Sequence, residues 1–248
     1  MPIEHEPAFR EHAIEWTDEK VSRLWDHYAR TPPYCEIYFS RLFGDSIIKK
    51  SGLPLQQDLK VLDFGCGPGF IWEHLQALGA QWEYTGLDFS PDSVKKVTQQ
   101  AKGHPRFAGA QHVTQLPTAL PTAQFDVVLL FEVVEHLNDE YLDSTLSEVS
   151  RVLKQGGVLV ITTPNEEDLN AATKFCPDCG AVFHEWQHVR NWTVDSLAAR
   201  LQQHGFAMRK AHTLDFTAQG LLKRGVRLGR KLLGRKVNPH MIAIFQKY

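Results

Sequence analysis

No run of 18 apolar residues occurs in the 248-residue chain, so no membrane-spanning helix is expected. The first ten residues are polar and lack an apolar core, so they do not read as a secretory signal. Cysteine is scarce: there are four, and two fall in one C-x-x-C. That is not the density of a secreted disulfide framework, and it makes a reducing cytoplasm the expected setting. Internal repeats and low-complexity tracts are absent, which excludes a repeat array. Neither charge dominates: 27 basic residues stand against 29 acidic ones, a balance that by itself names no partner. What is present is ordinary for a soluble globular chain, 43% apolar and 23% charged, at a length near the upper end for one domain.

The chain is organised around Val61-Leu62-Asp63-Phe64-Gly65-Cys66-Gly67-Pro68-Gly69. The apolar run 60–64 reads as a buried strand. The three glycines read as a tight turn that lets backbone approach a ligand. A helical stretch follows at 70–79. Strand, glycine turn and helix N-terminus make a nucleotide-type cradle. The dinucleotide fingerprint G-x-G-x-x-G is missing, because residue 70 is phenylalanine. From residue 60 onward strands alternate with helices. Candidate strands are 60–64, 83–88, 105–109, 125–131, 157–163, 206–214 and 240–246. Candidate helices are 70–79, 91–101, 139–154 and 193–204. Such alternation implies an α/β fold with a parallel sheet covered on both faces. Upstream, Thr17 reads as the cap of a helix carrying Val21, Leu24, Trp25 and Tyr28, and 36–50 reads as a second helix.

The stretch 61–69 resembles motif I of the class I S-adenosylmethionine (SAM) methyltransferases, and further motifs follow in the family's order. The resemblance implies a Rossmann-like, seven-stranded, mostly parallel sheet whose last strand is antiparallel. It implies a helical cap at 1–55 and a SAM-binding methyltransferase domain at 56–248, with inserts at 165–192 and 216–238. Cofactor contacts carry over to Asp63 (amino end of SAM), Gly65, Gly67 and Gly69 (methionine part), Asp88 (ribose hydroxyls), Phe89 (against adenine) and Phe131. A carboxylate suits the ribose because it offers two acceptor oxygens and no donor. As a plain structural residue, Asp88 would instead cap the next helix. His112 stands where the family commonly has an aspartate, and it is a further candidate for the cofactor, with backbone as the alternative.

Glu132, Glu135 and His136 are spaced i, i+3, i+4, which on a helical turn is one face. They follow a central strand, where open α/β sheets place ligands. Two carboxylates and an imidazole suit a divalent cation, Mg2+ or, with the imidazole, Mn2+. This E-x-x-E-H pattern resembles the ubiquinone-biosynthesis O-methyltransferases and the enzymes that methylate the terminal ribose 2′-hydroxyl of small RNAs. In the latter a distant histidine completes the metal site, and His188 lies in a similar context here. The cation would lower the pKa of the acceptor hydroxyl, and His136 or Glu135 would take the proton. Other members of the superfamily use a related stretch without metal, as base or substrate orienter.

The insert holds Cys176-Pro177-Asp178-Cys179-Gly180, the shape of a zinc knuckle. With His184 and His188 the spacing is C-x2-C-x4-H-x3-H, a set that suits tetrahedral Zn2+. A bare loop with reduced thiols and a redox pair are the alternatives. The two metal readings compete for His188. The stretch 220–236 carries seven basic residues and no acidic one. It reads as a basic amphipathic segment, either solvated, or lying on the inner face of a membrane as a peripheral contact, or meeting phosphates. The expected activity is O-methylation of a small-molecule, lipid-linked or glycan hydroxyl. RNA 2′-O-methylation is the weaker alternative for want of a recognisable RNA-binding domain. A SAM-binding protein without turnover is the third reading.

Overall fold

The computed structural model describes residues 9–216 and 239–248. The elements in chain order are β1 (His12–Ala13), α1 (Asp18–Tyr28), α2 (Phe39–Ser51), β2 (Lys60–Phe64), α3 (Phe70–Ala77), β3 (Glu83–Asp88), α4 (Pro91–Gln100), β4 (Phe107–His112), β5 (Phe125–Phe131), α5 (Asp139–Val152), β6 (Leu153–Pro164), β7 (Thr173–Phe175), β8 (Ala181–His184), α6 (Val194–Gln202), β9 (Phe206–Leu214) and β10 (His240–Lys247). Helix starts follow local chemistry. Thr17, Ser90, Asn138 and Thr193 each accept a backbone N–H in the first turn of the helix they cap, a contact each worth about 1 kcal/mol. Pro91 opens α4, where no N–H is needed.

Seven strands form one sheet in the order β4-β3-β2-β5-β6-β10-β9. Only β10 is reversed, running antiparallel to both β6 and β9. The expected Rossmann-like sheet is therefore present. β2 and β5 read as continuous apolar runs because alternate side chains enter two separate core layers. Leu62, Phe64, Val128 and Leu130 pack with Leu142 and Leu146 of α5 and Leu197 of α6. Val61, Val127 and Leu129 pack with Ile71 and Leu75 of α3, Val97 of α4 and Ile47 of α2. Truncating a fully buried leucine such as Leu129 to alanine is expected to cost about 2–5 kcal/mol.

A second, three-stranded sheet, β1-β8-β7, was not visible in the sequence. Its strands are two to four residues long, too short for a periodic signal. β7 and β8 form the hairpin of the cysteine insert, and β1 joins it from far upstream. Helix α1 docks on the same insert. The Tyr28 hydroxyl donates to the Glu185 carbonyl, Tyr28 and Tyr34 stack at 4.2 Å, and Trp186 meets both edge-on. No helix among the described residues is long and apolar enough to cross a membrane. The basic stretch 220–236 lies outside the described residues. Of the insert drawn at 216–238, Phe216 and Pro239 beyond it bracket that gap.

Candidate functional site

The glycine turn is held by its neighbour strand. The Gly65 and Cys66 amides both donate to the Leu87 carbonyl, at 2.7 and 2.9 Å. The Gly67 amide donates to Asp88 Oδ2 and the Ser90 amide to Asp88 Oδ1, each at 2.8 Å. Asp88 thus ties the end of β3 to the turn. Burial pushes its carboxyl up, and those two amides hold it back. All three glycines have positive φ, which disfavours any side chain there. A Cβ on Gly65 would fall 2.6 Å from Val133, and one on Gly69 2.6 Å from Val97. A Cβ on Gly67 would meet nothing within 4 Å, so the space above that peptide is open.

Asp63 lies at the end of β2, buried, with its Oδ2 accepting from the Tyr84 hydroxyl at 2.8 Å. Burial raises its carboxyl to about 7, against the lowering effect of that hydroxyl. Phe89 is 47% exposed just beyond Asp88. His112 pairs with Asp88 across the strands, but its Nε2 lies 3.0 Å from the Phe89 carbonyl, so backbone already occupies that nitrogen. Phe131 is buried in the core layer of Val61 and Leu129. A cavity of about 240 Å³ opens between α1, α2 and the starts of α3 and α4, lined by Arg30, Tyr38, Arg41, Pro68, Phe70 and Lys96 among others.

Glu132, Glu135 and His136 do not lie on a helix. Residue 132 is a bend, and 134–136 form a turn closed by the His136 amide on the Val133 carbonyl at 3.1 Å. The reason is Thr162 of the adjacent strand, whose carbonyl and hydroxyl both accept from the Glu132 amide, at 3.0 and 3.2 Å. That hold places Glu132 at φ +54°, a left-handed conformation uncommon for a residue with a side chain and costing on the order of 1 kcal/mol.

The turn nevertheless brings Glu135 and His136 together with His188, while Glu132, expected as a further ligand, belongs to neither metal-competent group among the described residues. Glu135, His136 and His188 each offer a ligand atom within 4.8 Å of the others. Glu135 is 1% exposed, with Oε2 accepting from Thr163 at 3.0 Å and Oε1 lying 3.9 Å from His136 Nε2. The loop after β8 clamps the turn: the Val189 amide donates to the Glu135 carbonyl, and Gln187 donates to that of His136, both at 2.9 Å. Trp25 of α1 meets the His136 ring edge-on at 5.0 Å and donates to Gln187. Buried and without hydrogen-bond partners are Glu132 Oε1, Glu135 Oε1 and His136 Nδ1. Burial raises both carboxyls, and their mutual charge raises Glu135 further. Burial, then the neighbouring His188, lowers His136 to about 3. His136 is therefore neutral at pH 7, as a metal ligand must be, and a poor proton acceptor.

Cys176 and Cys179 sit in the β7–β8 turn, closed by the Gly180 amide on the Cys176 carbonyl at 2.9 Å. Gly180 cannot carry a side chain, since a Cβ would lie 2.4 Å from the Arg10 carbonyl. The backbone amides of Cys179 and Asp178 lower the Cys176 thiol. The histidines are elsewhere. His184 and His188 gather with Glu167, and neither metal-competent group among the described residues contains a cysteine. The C-x2-C-x4-H-x3-H set is thus not assembled. At ~3.3 Å per residue, strand β8 carries His184 on the order of 10 Å from the turn. Glu167 was missed in the sequence because it lies in the acidic run 166–168, which reads as a solvated face, 17 and 21 residues from its histidines.

A methyltransferase domain family model matches residues 26–211. A ubiquinone biosynthesis O-methyltransferase of Bradyrhizobium sp. (strain ORS 278) is 33% identical over 158 residues, 59% of this chain and 60% of that protein. The chain thus spans about three fifths of that relative's length. The 2-methyl-6-phytyl-1,4-hydroquinone methyltransferase of Synechocystis sp. (strain ATCC 27184 / PCC 6803 / Kazusa) is 27% identical, covering 84% of this chain and 68% of that one. Among solved structures, an S-adenosylmethionine dependent methyltransferase from Mesorhizobium loti superposes with a TM-score of 0.60 at 16% identity, over 83% of this chain and 97% of that one. That likeness concerns the fold alone.

Proposed function

Because the chain belongs to the methyltransferase domain family, we propose that it transfers a methyl group from SAM to a hydroxyl of a small aromatic molecule. One observation carries this reading. The turn bearing Glu132, Glu135 and His136 abuts the glycine turn, with Val133 packed where a Cβ on Gly65 would stand. A donor cradle and a cluster of acid and imidazole groups therefore share one rim of the sheet, at the carboxyl ends of neighbouring strands β2 and β5.

The cradle fits SAM. Open space over Gly67 admits the methionine part, Asp88 retains lone pairs for the ribose hydroxyls, and exposed Phe89 offers a face to adenine. Asp63 is suited to the cationic amino end, which favours its ionised form. When bound, SAM supplies a methyl group already activated on a sulfonium.

The acceptor side fits a divalent cation, because Glu132, Glu135 and His136 keep buried polar atoms without partners. Glu135, His136 and His188 would hold it, and its chemistry there would be to lower the acceptor hydroxyl's pKa. His136, lowered to about 3 by burial, is poorly matched to receive the hydroxyl proton, which leaves a neighbouring carboxylate for that role. Aromatic groups flank this spot: Trp25 against His136, and Tyr38 between Trp25 and Phe70. That lining suits a planar ring, and the quinone and hydroquinone names of the relatives favour a phenolic hydroxyl.

The test is S-adenosylhomocysteine release from SAM with a panel of catechols and hydroquinones. Turnover is expected with wild type and lost in Glu135→Gln, with SAM affinity unchanged in that variant. Equal turnover by both proteins would count against the acceptor assignment.

A further inference from the structure

We propose that Glu167 is a positioning residue for His188: its carboxylate accepts a hydrogen bond from Nδ1–H and keeps the proton on that nitrogen, so that His188 offers its Nε2 lone pair beside Glu135 and His136. The inference rests on the cation reading given above. Glu167 Oε2 lies 2.5 Å from His188 Nδ1, within charge-assisted hydrogen-bond distance. Its other oxygen faces His184 Nε2 at 3.6 Å. The two imidazole rings stack at 4.5 Å with 20° between their planes, so one carboxylate spans both.

The protons can be placed from the partners. His184 Nδ1 receives the backbone amides of Trp186 and His188, each at 3.3 Å. It must be the bare nitrogen, which puts the hydrogen of the neutral ring on Nε2, toward Glu167. A protonated nitrogen cannot ligate a metal. His184 accordingly turns its Nε2–H toward Glu167 at 3.6 Å, beyond hydrogen-bond distance, and that buried nitrogen has no hydrogen-bond partner. His188 presents Nδ1 to the same carboxylate, which leaves Nε2 bare. Its ring centre is 5.0 Å from that of His136. A carboxylate behind a ligating histidine fixes tautomer and ring orientation, and losing one typically weakens metal binding 10–100-fold.

Two measurements on the full chain decide it. Long-range ¹⁵N–¹H correlation spectra of the metal-free protein report histidine tautomers directly. The wild type is expected to show His188 protonated on Nδ1 and His184 on Nε2, and Glu167→Ala to lose the fixed His188 tautomer. Calorimetric titration with Mn2+ alone is expected to show about 10–100-fold weaker binding in Glu167→Ala. Glu167→Gln, which keeps an acceptor oxygen, should be milder, and His184→Phe, which keeps the stacking, should stay within a few-fold of wild type. His188 protonated on Nε2 in the wild type would overturn the proposal, as would Mn2+ binding abolished by His184→Phe but kept by Glu135→Gln. Wild type that shows the tautomer but binds no Mn2+ would instead contradict the cation reading.

Discussion

Asp88, half-buried at the end of β3, and Glu135, buried just beyond β5, are carboxylates held in opposite ways. Asp88 receives two backbone amides, one on each oxygen. Glu135 receives one hydroxyl and keeps its second oxygen without a partner. On the donor side a backbone turn is tied by the Asp88 carboxylate, both of whose oxygens are paired. The acceptor side is built from side chains of three distant segments and leaves buried polar atoms unpaired, each a cost of about 1–3 kcal/mol. A protein tolerates that cost where a ligand completes the set. The contrast implies that the two halves should fail separately under mutation.

The largest effect should come from the incomplete side. Glu135→Gln is expected to lower turnover about 10²–10⁴-fold while SAM affinity, by calorimetry, stays within about twofold. Asp88→Ala should do the reverse. It removes charged acceptors worth about 1.5–3 kcal/mol each, so SAM affinity should fall about 10²–10⁴-fold, with Mn2+ binding unaffected. Loss of both properties in either variant would show that the halves are one unit.

A smaller effect sharpens the role of Asp63. Its carboxyl keeps its proton to about pH 7 in the folded state and loses it near 4 when unfolded. The native state therefore binds more protons between those values, and stability contributed by this group falls as pH rises from about 4 to about 7. SAM affinity should rise through the same upper limit, because the amino end prefers the ionised form. Asp63→Asn should flatten both profiles, measured by chemical denaturation and calorimetry. The smallest effect is expected from Cys176→Ser. The thiol is not grouped with either set of ligands, so Mn2+ binding should be unchanged.

The donor half was legible in the sequence because it is local. Strands 60–64, 83–88, 125–131 and 206–214 coincide with the structure; 60–64 and 125–131 are mostly apolar, and Gly65 and Gly205 punctuate the first and last. The edge strand β4 lies at 107–112 and not at 105–109, since Phe-Ala-Gly-Ala-Gln-His carries little apolar pattern. β6 begins earlier than expected, as Lys154, Gln155 and two glycines interrupt its hydrophobic signal. The acceptor half was half legible. Spacing brought out Glu135 and His136, but it suggested a helix where Thr162, on another strand, imposes a bend. Pairing His184 with the cysteines followed linear spacing, which ignores the reach of β8. Glu167 and Gln187 act only through contacts across the insert, and no local pattern marks them.

The central claim is that the cradle and the acidic-histidine turn are separate parts of one methyl transfer. The most direct test is turnover of a hydroquinone acceptor by wild type after EDTA treatment, with SAM affinity measured on the same sample. Turnover should vanish and return with Mn2+, while SAM affinity holds constant throughout. Full turnover in EDTA would contradict the account.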